Sequence, residues 1–147
     1  MKFTQQLSAQ QFTQAFEFLS ERSYWSKGIS RERLEKAFAH SLCFALIENN
    51  QLLAFARVVT DRATFANLLD VFVLEQFRGQ GLGKKLMDHV MSHPELQSLR
   101  RFTLTTRDAH SLYQQFGFQS QVNPNLAMEK CLVGGYSTVL IPIDLNI

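Results

Sequence analysis

Over the first forty positions apolar residues recur at helical spacing. In SAQQFTQAFEFLSER, which starts at Ser8, Phe12, Ala15, Phe16 and Leu19 share a face, and Ser8 stands where an N-cap hydroxyl is wanted. A second helix is predicted after the aromatic, glycine-containing loop SYWSKGI: Ser30 caps SRERLEKAFAHS, with Leu34, Ala37 and Phe38 on one side. The period then changes. LCFALIE and LLAFARVVT flank Asn49-Asn50-Gln51, a hairpin signal, and LLDVFVL is a third β-rich run, so three consecutive antiparallel strands are predicted. From Gly81 helical spacing returns, aligning Leu82, Leu86, His89 and Val90, and Pro94 ends it after Ser92-His93. LRRFTLTT alternates as a strand does, and DAHSLYQQFGF reads as a short helix closed by Gly117 at C′. A three-strand meander followed by helix, strand and helix describes a mixed α/β sheet.

Composition narrows the picture. A chain of 147 residues suits one compact domain, and thirteen Phe within a 46% hydrophobic composition argue for a packed core. The net charge of +2 and pI near 8.7, with no basic run beyond Lys84-Lys85 and Arg100-Arg101, argue against a nucleic-acid partner. Cys43 and Cys131 stand in no metal or disulfide spacing, so no metal is expected and a reducing compartment fits. MKFTQQLSAQ lacks the apolar core of a signal peptide, and no apolar run is long enough to span a bilayer, so a cytoplasmic protein without membrane contact is expected. Residues 131–147 are almost uncharged and carry Gly134-Gly135 and a β-prone run with Pro142 inside it. We read them as an extension beyond a domain at 1–130: an edge strand, a homodimer contact or a tail.

The candidate chemistry begins at FRGQGLGKKL, residues 77–86. A glycine-rich turn entering a helix presents unpaired backbone N–H groups at the positive end of the helix dipole, where an anion such as phosphate binds. Two familiar phosphate loops are excluded. Between Gly79 and Gly83 stand three residues where GxxxxGK[ST] needs four, and Lys85 offers no hydroxyl for magnesium. GxGxxG would need glycine at Lys84 and a parallel βαβ unit, which the upstream hairpin does not supply.

The arrangement Arg78-x-x-Gly81-x-Gly83 after a strand resembles the signature [Arg/Gln]-x-x-Gly-x-[Gly/Ala] of the GCN5-related N-acetyltransferase (GNAT) superfamily. DVFVLEQFRGQGLGKKL is similar to that family's strand-4, loop and helix-3 block, and DAHSLYQQFGF to its later AxxLYxxxGF block. The resemblance covers roughly residues 2–130. It implies a single domain with a central, twisted, mostly antiparallel mixed sheet, flanked by about four helices and splayed between strands 4 and 5. It also implies acetyl-CoA as co-substrate. The backbone of Gly79, Gln80, Gly81, Leu82, Gly83 and Lys84 would then cradle its pyrophosphate, with the Arg78 side chain secondary. Val71, Phe72 and Val73 would lend their backbone to the pantetheine amides, and one N–H there would polarise the thioester carbonyl.

Tyr113 stands where the family places the general acid for the departing thiolate, and Thr106 where it often has an asparagine that bonds the pantetheine. Arg101 occupies the position at which the ribosomal-protein acetyltransferase branch carries its glutamate base. A lysine-like amine needs ~4–5 kcal/mol to reach its neutral form at pH 7. Asp70 is the substitute base, acting through water, unless it bonds backbone or pairs with Arg57 at a strand start. Tyr24 and Trp25 fall in the loop that covers the family's acceptor pocket, beside Ser23, Ser26 and Lys27; the alternative is a hydrophobic plug. Arg57, Asp61 and Arg62 read as a hydrogen-bonded turn or as substrate contacts. His110 is a weak base candidate, and His40, His89 and His93 read as surface or helix-end residues.

The expected function is direct acetyl transfer, in a ternary complex, from acetyl-CoA to a primary amine of a small molecule. The alternatives are a protein or peptide acetyltransferase and a non-catalytic acyl-CoA-binding module.

Overall fold

The computed structural model of the chain describes residues 1–130; the extension expected at 131–147 lies outside the described residues. Five strands form one sheet in the order β1-β2-β3-β4-β5. The hairpin strands are β2 (Leu42–Glu48) and β3 (Gln51–Thr60), joined by Asn49 and Asn50 with φ of 51° and 63°. Two positive φ angles are what a type I′ turn requires, and asparagine tolerates them. β4 (Phe65–Val73) runs antiparallel to β3, completing the expected meander. β5 (Arg101–Leu104) pairs parallel to β4 and is shorter than its alternating sequence suggests.

The edge strand β1 (Lys2–Thr4) pairs antiparallel with β2. Three residues carry no readable period, so the sequence pattern does not show it.

Period-two burial accounts for the continuous apolar run of β2. Leu42, Phe44 and Leu46 face one core cluster, while Cys43, Ala45 and Ile47 face the other. The second cluster is roofed by α1 (Ala9–Glu17) and α2 (Arg31–Ala39), and the first by α3 (Leu82–Met91). Both faces of the sheet are covered, giving three layers.

The N-terminus of α1 is fixed by a reciprocal pair: Ser8 Oγ accepts from Gln11 N (3.2 Å), and Ser8 N donates to Gln11 Oε1 (2.9 Å). Gln11 Nε2 donates to the Asn50 carbonyl (3.3 Å) and Gln14 Oε1 accepts from Leu52 N (2.9 Å), docking the helix on the β2–β3 hairpin. The last turn of the predicted helix, Phe18–Arg22, is a π-turn. α4 (His110–Gln114) ends in a Schellman arrangement: Phe118 N donates to Tyr113 O (3.2 Å) and Gly117 N to Gln114 O (3.1 Å), with Gly117 at φ +88°. Among the described residues no helix is long and apolar enough to cross a membrane.

Candidate functional site

The loop 77–84 has the geometry its glycines predict. A short turn, Glu75–Phe77, delivers the chain to Arg78; Gly79 and Gly81 take φ of +78° and +75°, and Gly81 is the N-cap of α3. A Cβ at either glycine would meet nothing within 4 Å, so backbone conformation, not crowding by protein atoms, calls for glycine there. The first helical amide bonded back is Lys85 N to Gly81 O (3.1 Å), which leaves the amides of Leu82, Gly83 and Lys84 without a backbone acceptor among the described residues, and the first turn holds no acidic residue. A Cβ on Gly83 would lie 3.9 Å from both Val73 and Leu112, so this first turn abuts the end of β4 and α4. Arg78 Nε donates to the Val73 carbonyl (3.0 Å).

That junction opens onto a cleft. β4 and β5 are in register only over Phe65–Leu68 and Arg101–Leu104, whereas β4 continues to Val73, so beyond Leu68 the strands part. At the parting point the β3–β4 register shifts: Leu69 faces Arg57 and Phe72 faces Phe55, leaving Asp70 and Val71 opposite one residue. This is a β-bulge with Asp70 in the left-handed region at φ +53°. Asp70 therefore lies inside β4, not at a strand start as its sequence context suggests. The cleft, about 860 Å³, has Leu69–Val73 on one wall and Thr105–Asp108 with Tyr113 on the other, and Arg78 and Gly83 reach it. A second groove of about 760 Å³ shares Tyr113 but contains none of the glycine loop, Tyr24 or Trp25.

Tyr113 is 8% exposed, and its hydroxyl makes no hydrogen bond to the described residues. Burial, then the nearby Tyr24 and Asp108, push its phenol up to about 12. Thr106 lines the cleft, but its Oγ1 already accepts from Ala109 N (3.0 Å), closing the turn into α4. Tyr24 and Trp25 stand edge-to-face at the mouth (5.0 Å between centroids), half and 38% exposed, so they are not a buried plug. Arg107 lies over the Tyr24 ring at 4.0 Å, joining the two walls across the opening.

Asp70 is buried, and both its oxygens are engaged: Oδ1 accepts from Trp25 Nε1 (2.9 Å) and Oδ2 from Arg57 Nε (2.7 Å). Sequence reading missed Arg107, Phe18 and Arg22 as cleft residues. No local pattern marks a residue whose role is created by a partner far along the chain.

Several neighbouring candidates are structural. Asp61 accepts from the amides of Ala63, Thr64 and Phe65 and from the Thr64 hydroxyl, which holds its carboxyl below the usual range, and Arg62 pairs with Glu95. This is the turn reading. Ser23 and Ser26 are buried within their own loop: Ser23 Oγ donates to Leu19 O (2.6 Å) and accepts from Ser26 N (3.1 Å). His89 is a helix-end residue, in the last turn of α3; it is half-buried and stacked on Phe3 at 3.9 Å, and burial, then His93, lower its pKa. Arg101 is exposed at the start of β5.

Comparison with known proteins agrees with this geometry. Residues 39–120 match the acetyltransferase (GNAT) domain family. A crystal structure of a putative GNAT-family acetyltransferase from Xanthomonas campestris is 44% identical, with a TM-score of 0.89, covering 93% of this chain and 96% of that one. The [ribosomal protein bS18]-alanine N-acetyltransferase of Haemophilus influenzae is 28% identical over 125 residues, 80% of this chain and 82% of the relative. The N-acetylglutamate synthase of Neisseria gonorrhoeae, crystallised with coenzyme A and N-acetyl-glutamate, shares the fold (TM-score 0.65, 19% identity, 80% of this chain and 28% of that one).

Proposed function

The chain belongs to the GNAT acetyltransferase family, and from that premise we propose that it transfers the acetyl group of acetyl-CoA directly to a primary amine of a small molecule. The observation that carries the reading is the parting of β4 from β5 beside the glycine turn that opens α3, with Tyr113 on the facing wall. The unpaired amides of the loop 79–84 would take the pyrophosphate, and Arg78 adds positive charge. Beyond Leu68 the β5 side of β4 has no strand partner among the described residues, which suits Val71, Phe72 and Val73, past the bulge at Asp70, to pair with the pantetheine arm.

In the reaction the amine lone pair attacks the thioester carbonyl carbon, a backbone N–H of β4 bonds the developing oxyanion, and the C–S bond breaks. The thiolate that leaves meets the Tyr113 hydroxyl. With the phenol near 12 against a thiol near 8.5, full proton transfer is uphill by ~5 kcal/mol, so Tyr113 acts chiefly as a hydrogen-bond donor to the leaving sulfur. Both oxygens of Asp70 are engaged by N–H donors, so we give the amine proton to water and Asp70 a different role, argued below.

The aromatic pair Tyr24-Trp25 and Arg107 narrow the mouth and favour a small acceptor. Similarity to an alanine N-acetyltransferase of a ribosomal protein favours a peptide N-terminus as the second reading. A cytoplasmic location and a homodimer belong with this proposal. The test is thiol release from acetyl-CoA with a panel of primary amines, amino acids and an alanine-ended peptide, beside calorimetric titration with acetyl-CoA. Release with a small amine is expected. Release only with the peptide selects the second reading, binding without release selects a non-catalytic acyl-CoA-binding module, and no binding overturns all three.

A further inference from the structure

The loop between α1 and α2 is tied down at its base. Ser20 Oγ donates to Ile29 O (2.9 Å), Gly28 N donates to Ser20 O (2.8 Å), and Ser23 bonds Leu19 and Ser26 as described. None of these contacts fixes the ring of Trp25, which is 38% exposed and has Phe18 at 6.1 Å. The one polar atom of the indole, Nε1–H, donates to Asp70. Asp70 is held in turn. Arg57 Nε donates to its other oxygen, Arg57 Nη1 donates to Ser41 Oγ (3.1 Å), and Ser41 Oγ donates to the Ala37 carbonyl in α2 (2.7 Å). The line runs from α2 through β3 and β4 to the loop at the cleft mouth.

The backbone supports the same assignment. A left-handed φ at a non-glycine residue inside a strand is uncommon and is kept where its neighbours over-determine it. Here the bulge sets the Asp70 carboxylate between Arg57 and Trp25. Beneath, Phe72 stacks on Phe18 at 4.3 Å, so the wall carrying Trp25 is aromatic in depth. Tyr24, on the outer side of Trp25, is the residue Arg107 covers.

We propose that Asp70 is a positioning residue that clamps the Trp25 indole as the acceptor-side wall of the cleft, so that acceptor recognition depends on it and donor binding does not. This rests on the reading of the cleft as the site of acetyl transfer. Asparagine at 70 can still accept one N–H bond but turns an NH2 or a neutral oxygen toward Arg57, and loses the charge that pairs with it. Phenylalanine at 25 keeps an aromatic wall and removes the donor.

Trp25 is the sole tryptophan of the chain, so its fluorescence reports the clamp without any substrate. For Asp70→Asn the expected result is a red-shifted emission, about twofold greater quenching by acrylamide, a rise of about tenfold in KM for the best amine of the panel, and an acetyl-CoA affinity within twofold of wild type. Trp25→Phe should raise the same KM, and the double variant should be no worse than the poorer single one, since the two residues act as one unit. Because Trp25→Phe tests the same contact, a poorly folding Asp70→Asn does not rescue the idea. Unchanged Trp25 emission and quenching in Asp70→Asn, an unchanged acceptor KM in either variant, or additive losses confined to kcat would each overturn it; the last would return Asp70 to the role of base. Wild-type protein that neither binds acetyl-CoA nor releases thiol would overturn the transfer reading itself, and that outcome is seen before any variant is made.

Discussion

An alanine at Gly81 would have to adopt φ +75° with no neighbour in the way, so its cost is conformational: ~1–2 kcal/mol of stability. Asparagine should restore part of it. At Gly83 the added methyl finds ordinary contacts with Val73 and Leu112 inside the first turn of α3, and stability should hold or rise by up to ~1 kcal/mol. Thermal melts with and without acetyl-CoA check both, and a Gly81→Ala protein as stable as wild type would contradict the turn geometry. Tyr113→Phe should lower kcat about 10²-fold and leave acetyl-CoA affinity within twofold. Its folded pKa, near 12 against an unfolded value near 10, means that Tyr113 adds stability fully present below pH 10 and lost as pH rises toward 12. The Phe variant should therefore unfold at higher pH than wild type in an alkaline titration. At this scale the glycine turn that opens α3 was readable, because a turn entering a helix is local. Of the clamp, the pairing of Asp70 with Arg57 was among the alternatives the sequence offered, whereas the bond from Trp25 was not, because the loop between α1 and α2 meets β4 only in the folded chain.

Among the elements, the β2–β3 hairpin and α1 carry testable local devices. Asn50→Gly supplies the residue that most easily takes the second positive φ of the turn and should raise stability by ~0.5 kcal/mol or more. Ser8→Ala removes the hydroxyl of the capping pair and should cost ~1 kcal/mol, seen as a lower melting temperature. The apolar periods located α1, α2, α3 and the meander, since each buries a face long enough to show its repeat. β1 and the reduced length of β5 escaped for opposite reasons. Lys2–Thr4 is too short for a pattern, and the alternation of LRRFTLTT extends past Leu104, where β4 has already turned aside.

Across the whole molecule, two helices cover one face of the sheet and α3 the other, and the cleft lies where the last two strands separate. The meander β2–β3–β4 joins neighbours in sequence through tight turns, whereas Thr4 must find Ala45 and Phe65 must find Arg101 across long stretches of chain. Closing such distant pairs costs more chain entropy than closing a hairpin, so they should form after it. Pulse-labelled hydrogen exchange during refolding is expected to protect amides of Leu42–Val58 before those of Arg101–Leu104, and the reverse order would refute this account. The seam between β4 and β5 then has a history as well as a shape: the place where the sheet divides is one the chain closes late. A newly made molecule would carry its β2–β3 hairpin for a time before the two walls of the cleft stood facing each other.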